Sequence, residues 1–153
     1  MFIRDDRGSY TIEVLFIFPL LLVFFVLTFW FGSLMYTWST VNYASMQYAL
    51  DIAKEGQKTG DITNAVKVKL TNVPIKDVTR FSERSSPYND PNSIVIWTNG
   101  NSFNRGDVIT AGVVYPVKVP SPLLSILGKA AFGSDTIFLK AHATAKSEVY
   151  FEP

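Results

Sequence analysis

The chain has 153 residues, with 14 basic and 13 acidic side chains and a net charge of +1. Such a balance carries no electrostatic footprint for a nucleic acid. The absence of cysteine excludes disulfides, thiolate metal sites and thiol nucleophiles, and leaves the compartment open.

The first eight residues form a short head carrying Arg4 and Arg7. Behind it, no charged residue occurs between Glu13 and Asp51, and residues 14–31 are apolar or weakly polar throughout. About twenty such residues, at roughly 1.5 Å rise each, cross a hydrocarbon core of roughly 30 Å. Residues 14–35 are therefore predicted to be a transmembrane helix. A secretory signal peptide has a shorter apolar core of roughly 7–15 residues and a small-x-small cleavage site. Phe31-Gly32-Ser33-Leu34 offers no such site. Arg4 and Arg7 place the N-terminus in the cytoplasm by the positive-inside rule, since the first cation beyond the helix is Lys54. Residues 36–153 should then lie outside, and they suffice for one compact domain.

Glu13 is the anomaly of this helix. A carboxylate at the edge of a membrane span is costly and is by default functional. A capping box would need Ser or Thr three residues earlier, and Tyr10 stands there. A favourable interaction with the helix N-terminus is the bland alternative. Gly8 lies five residues before Glu13, so a cut after Gly8 would make Ser9 the new N-terminus.

Further along, Pro19 removes a hydrogen bond to the carbonyl of Leu15 and predicts a bend. Trp30, Tyr36 and Trp38 suit the membrane–water boundary, with a core position as the competing reading for one of them. Val41, Ala44, Tyr48 and Ile52 keep helical spacing, so the helix should continue to Gly56 or Gly60. Asp51 and Glu55 share a face at i, i+4, with Lys54 and Lys58 nearby, and read as solvated. Asp61 is the expected N-cap of a second helix over residues 62–70, stopped by Pro74. Residues 75–92 are rich in Ser, Pro, Asn and Asp and read as a loop. Asp77, Glu83 and Asp90 offer oxygens to calcium there, but not at EF-hand spacing, and a metal-free loop is the preferred reading.

Strands are predicted over residues 93–98, 107–119 and 136–149. The first two are joined by turn chemistry from Asn99-Gly100-Asn101 to Gly106, and Pro116 suggests an edge or a bulge. In the last, Ile137, Leu139, Ala141, Ala143 and Ala145 face one way. Lys140, His142, Thr144 and Lys146 face the other. The small alanines suit a helix lying close across the sheet. Residues 120–134 hold an apolar cluster, Leu123, Leu124, Ile126, Leu127 and Phe132 among them. Closing one end of the core is favoured as its destination over a contact with a neighbouring subunit or the membrane surface. The expected fold class is α+β and membrane-anchored: a long N-terminal transmembrane helix continuing into a small domain whose antiparallel β-sheet packs on the helix.

Arg7-Gly8, Glu13 five positions on, and a long apolar helix resemble the class III signal of type IV pilins and pseudopilins. Pro19-Leu20-Leu21-Leu22 is similar to the apolar run of the TadE family of the tight-adherence (Tad/Flp) pilus system. Gly106-Asp107-Val108-Ile109, Val114-Tyr115-Pro116 and Pro122-Leu123-Leu124 resemble that family's extracytoplasmic region. The resemblance implies a structural pseudopilin or minor pilin with residues 1–8 as leader, 9–35 as transmembrane assembly helix and 36–153 as extracytoplasmic pilin-like domain. It implies cleavage between Gly8 and Ser9 by a prepilin peptidase, with Glu13 serving assembly. The implied partners are that peptidase, other pilins or pseudopilins, the inner-membrane assembly platform and membrane lipid. The implied location is the bacterial inner membrane, and from there the pilus. The implied role is surface attachment and cell adhesion.

The alternative is a bitopic membrane protein with an extracytoplasmic ligand- or partner-binding domain and no filament role. An enzyme is not expected. The one histidine, His142, falls on a polar strand face, no phosphate-binding glycine loop is present, and no cofactor or metal site is suggested.

Overall fold

The computed structural model describes residues 7–119, 129 and 133–148, with side chains from residue 14 onward. Helix α1 spans Arg7–Glu55 and α2 spans Gly60–Thr71. The strands are β1 (Phe81–Arg84), β2 (Ile94–Thr98), β3 (Val108–Lys118) and β4 (Thr136–Lys146). By compactness the chain divides between Met35 and Tyr36. The apolar connection expected at 120–134 lies largely outside the described residues, and β4 ends at Lys146, short of the expected 149.

In the N-terminal unit α1 runs through Pro19 without a break. Residues 14–26 are exposed on every face of the helix, with Phe16, Leu20 and Phe24 each about two-thirds or more accessible. A helix apolar all round has no stripe to seat on a core and requires an apolar medium.

In the second unit, Val41, Ala44, Ser45, Tyr48, Ala49, Ile52 and Ala53 of α1 are buried. Their spacing makes one continuous stripe, and it faces the sheet. Ser45 Oγ donates to the Ala141 carbonyl of β4 at 3.3 Å, and Glu148 N donates to the Ala53 carbonyl at 3.2 Å. Small side chains on both sides permit that approach. The helix ends where expected: Gly56 takes φ 68°, a conformation that favours glycine, and its N–H bonds the Ile52 carbonyl at 2.8 Å.

The cap of α2 is Thr59 rather than Asp61. The Thr59 hydroxyl accepts from Ile62 N, and its carbonyl accepts from Thr63 N. Asp61 sits in the first turn instead, where its charge still suits the helix N-terminus. The helix stops at Thr71 with Asn72 as C-cap, short of Pro74.

The sheet has the order β1-β2-β3-β4. The three expected strands pair antiparallel, with Val113 opposite both Ile96 and Ala141. The expected all-antiparallel sheet is corrected to a mixed one: Phe81–Arg84, read from sequence as part of a loop, pairs parallel with β2. Four residues amid Ser, Pro and Asn give too short a run for alternation to register.

Pro116 lies beyond Val114, the last β3 residue paired to β2. Thr110 turns its backbone toward Asn99 and Lys118 toward Asp77, so even-numbered β3 positions point to the β2 side. The missing N–H of Pro116 thus costs no ladder bond.

Packing on the helix leaves one sheet face expected to be wet, but both faces of β2 and β3 are buried over most of their length. Val95 and Val114, on the face away from α1, are 0% and 1% exposed. The reason is legible in Ile94-Val95-Ile96-Trp97 and Val113-Val114-Tyr115-Pro116-Val117, which are continuous apolar runs rather than alternating ones. Only β4 keeps the alternation, with Lys140, His142, Thr144 and Lys146 exposed.

Glu83 ties this sheet to α2 and to the connection that precedes it. Its two carboxylate oxygens each lie 2.8 Å from an ammonium, Lys58 on one side and Lys67 of α2 on the other. Hydrogen bonds from Lys58 and then Lys67 hold its carboxyl below the ordinary glutamate range. A depressed folded value means stability that is present above the unfolded pKa of about 4.3 and lost as pH falls through the folded one. The group is partly exposed, so the contribution should be about 1 kcal/mol or less. Glu83→Gln is expected to lower the urea midpoint at pH 7 and to leave little difference from the parent near pH 3. A midpoint gap that persists undiminished in acid would assign the effect to packing.

Candidate functional site

The candidate site is the start of α1. Gly8 and Ser9 lie in its first turn, and Glu13 follows one turn after Ser9. Ser9 and Glu13, at i and i+4, fall on the same side of the helix. The side chains of 7–13 lie outside the described residues, so the helical backbone is what positions these three. Beyond Glu13 the exposed apolar cylinder begins at Val14.

Its polar residues are turned inward on the helix itself. Thr28 Oγ1 donates to the Phe24 carbonyl at 2.9 Å, and Ser33 Oγ to the Phe29 carbonyl at 3.0 Å. Back-bonding of this kind satisfies a hydroxyl without water, which a hydrocarbon medium demands. Thr40 repeats it on Tyr36 at 3.1 Å. Tyr36 and Trp38 are 60% and 46% exposed, so neither is a core residue, and both remain available to a membrane boundary. By length and composition, α1 has what a membrane-spanning helix requires.

Residues 8–49 match the family model of TadE-like proteins. This segment of the chain is TadE-like. The match begins at Gly8, takes in Ser9, Glu13 and the apolar run after Pro19, and ends in the buried α1 stripe. The downstream likeness around Gly106, Tyr115 and Pro122 lies outside the matched TadE-like stretch. No curated protein and no solved structure matches the chain.

The remaining polar candidates are dispersed. Asp77 accepts the backbone N–H of Lys118 at 2.8 Å. Asp90 accepts from Asn92 N at 2.9 Å and from the Ser93 hydroxyl at 2.6 Å, and these bonds hold its carboxyl below the usual range. With Glu83 held by its two lysines, each of the three carboxylates has separate partners. Glu55 accepts from the Thr59 hydroxyl at 3.2 Å. Among the described residues no group of three or more His, Asp or Glu side chains is placed to hold a metal ion. His142 is exposed on β4.

Sequence reasoning did not anticipate the Lys58–Glu83–Lys67 triad, because its members come from a connection, a helix and an unrecognised strand. Nor did it anticipate how β3 is anchored. Tyr115 Oη donates to the Ile75 carbonyl at 2.7 Å, and burial, then nearby Asp77, pushes its phenol up to about 12.

Proposed function

We propose that the chain is a TadE-like pseudopilin or minor pilin of a Tad (Flp, type IV) pilus. In this reading it is made as a precursor in the bacterial inner membrane, with residues 1–8 in the cytoplasm and the C-terminal domain outside. A prepilin peptidase cuts between Gly8 and Ser9. The helix from Ser9 onward then packs among other pilin helices at the assembly platform, and the outer domain contributes to a filament that serves adhesion. The chain is a substrate and a structural subunit, and carries out no reaction of its own.

The observation that carries this reading is where the TadE-like match starts. It opens on the glycine that the spacing to Glu13 singles out, and continues through the apolar helix. A membrane anchor without a filament role needs the helix but neither Gly8 nor Glu13. Small residues flank the proposed bond, so Gly8→Leu should block processing. Co-expressed with its peptidase, the parent chain should shift to the shorter form on a gel, and the variant should stay at precursor size. Equal processing of both would remove Gly8 from the site.

A further inference from the structure

Among the described residues no strand pairs with the outer edge of β4. Both ends of the β3–β4 ladder fix its hydrogen-bonding phase. Val119 N donates to the Asp135 carbonyl and Ser147 N to the Asp107 carbonyl, each at 2.9 Å, and the register between them runs one-to-one from Lys118–Thr136 to Val108–Lys146. Odd-numbered β4 residues therefore bond to β3. The backbone N–H and C=O groups of the even-numbered ones, Phe138 to Lys146, point away from the sheet. β4 is the last strand in the order, is 11 residues long, and carries neither proline nor bulge.

Proteins ordinarily blunt such an edge by shortness, proline, a bulge or charged side chains, lysine above all. The opposite edge obeys this rule, since β1 has only four residues. β4 relies on charge alone among these devices. Lys140, His142, Thr144 and Lys146 are all exposed, and neither lysine has a carboxylate within 4.0 Å among the described residues. The sequence of β4 contains no acidic residue, so a second copy laid along it would supply no countercharge.

The geometry points to β4 as a strand-addition site for an extended segment of another protein, one carrying Asp or Glu at alternate positions. Its backbone would complete the outward-facing ladder, and its carboxylates would meet Lys140 and Lys146 across the strand. The lysines then act as a filter, rejecting apolar and basic strands and admitting acidic ones. This site is independent of Gly8, Ser9 and Glu13 and does not depend on a filament role.

The test uses the full chain in a neutral detergent. Two fluorescein-labelled nonapeptides serve as probes, one alternating threonine with glutamate and one alternating threonine with lysine, and anisotropy reads binding. The glutamate peptide should bind and the lysine peptide should not. Lys140→Glu with Lys146→Glu should invert that preference. His142→Pro removes one outward N–H without touching the bonds to β3, and should weaken binding about tenfold or more. If His142→Pro also lowers the melting temperature, the exposed lysine pair decides alone. Failure of the glutamate peptide to bind, binding indifferent to the lysine reversal, or a dimer of the chain cross-linked through β4 that excludes the peptide would each overturn the proposal.

Discussion

Replacing Glu13 with alanine is expected to leave the chain inserted in the membrane and cleaved, yet to abolish its co-purification with partner pilins. The argument is energetic. An ionised carboxylate at the centre of a membrane helix costs about 2.5–3.5 kcal/mol on insertion scales, and less near the edge. Removing it should make insertion easier, so a loss of assembly cannot be laid to a failure to enter the bilayer. In the proposed mature chain the Ser9 amine is mostly cationic at neutral pH. A Glu13 carboxylate of one subunit paired with the Ser9 amine of its neighbour would offset both desolvation costs and fix the axial register of two otherwise featureless apolar helices. Truncating one partner of a desolvated charge pair typically costs about 2–5 kcal/mol, enough for a thirtyfold or larger loss of association. Glu13→Gln should rescue only weakly, because it keeps the shape and loses the charge. Normal co-purification of Glu13→Ala would reduce the carboxylate to an edge residue with no part in assembly.

Gly112→Val is expected to unfold the C-terminal domain or to lower its melting temperature sharply. A Cβ at Gly112 would stand 2.5 Å from the Ala141 carbonyl oxygen and 2.8 Å from the Trp97 indole nitrogen. Trp97 is the cross-strand partner of Gly112, and its ring lies over the space a side chain would take. The indole could move, but the Ala141 oxygen belongs to the β3–β4 ladder and cannot yield without opening it. Overpacking a well-filled interior costs about 1–3 kcal/mol and sometimes more. For a domain of this size each kcal/mol lowers the melting temperature by roughly 4 °C. Gly112→Ala should lie between valine and the parent, and Gly112→Val with Trp97→Ala should recover little, since the backbone clash remains. Thermal melts of the full chain in detergent that superimpose for glycine and valine would show that the ladder adapts.

Much of this architecture was legible in the residues. Apolar composition marked the candidate span from Val14, because a helix apolar on every face leaves a signal that needs no periodicity. The stripe from Val41 to Ile52 marked the buried half of α1, and alternation marked β4, because each has a wet side to contrast with a dry one. Legibility failed where that contrast disappears. β2 and β3 are apolar on both faces, so no alternation marks a dry side against a wet one, and only their unbroken apolar runs point to a two-sided sheet. β1 is too short for any period, and parallel pairing leaves no local turn signal such as Asn99-Gly100 provides for the β2–β3 hairpin. The α2 cap moved from Asp61 to Thr59 because both residues can cap and only the path of the chain from Gly56 chooses between them. At the candidate site the signal was chemical rather than periodic. A carboxylate where none should be, five residues after a glycine, stood out against its surroundings, and the TadE-like match opens on that glycine.

The claim on which the functional account rests is that Gly8 and Ser9 are parted in the cell. Intact-mass analysis of the full chain, extracted from membranes of cells with and without the cognate prepilin peptidase, tests it most directly. The account predicts a species beginning at Ser9 when the peptidase is present and one retaining Met1–Gly8 when it is absent. A chain that keeps its first eight residues in the presence of an active peptidase and a working pilus system would contradict it.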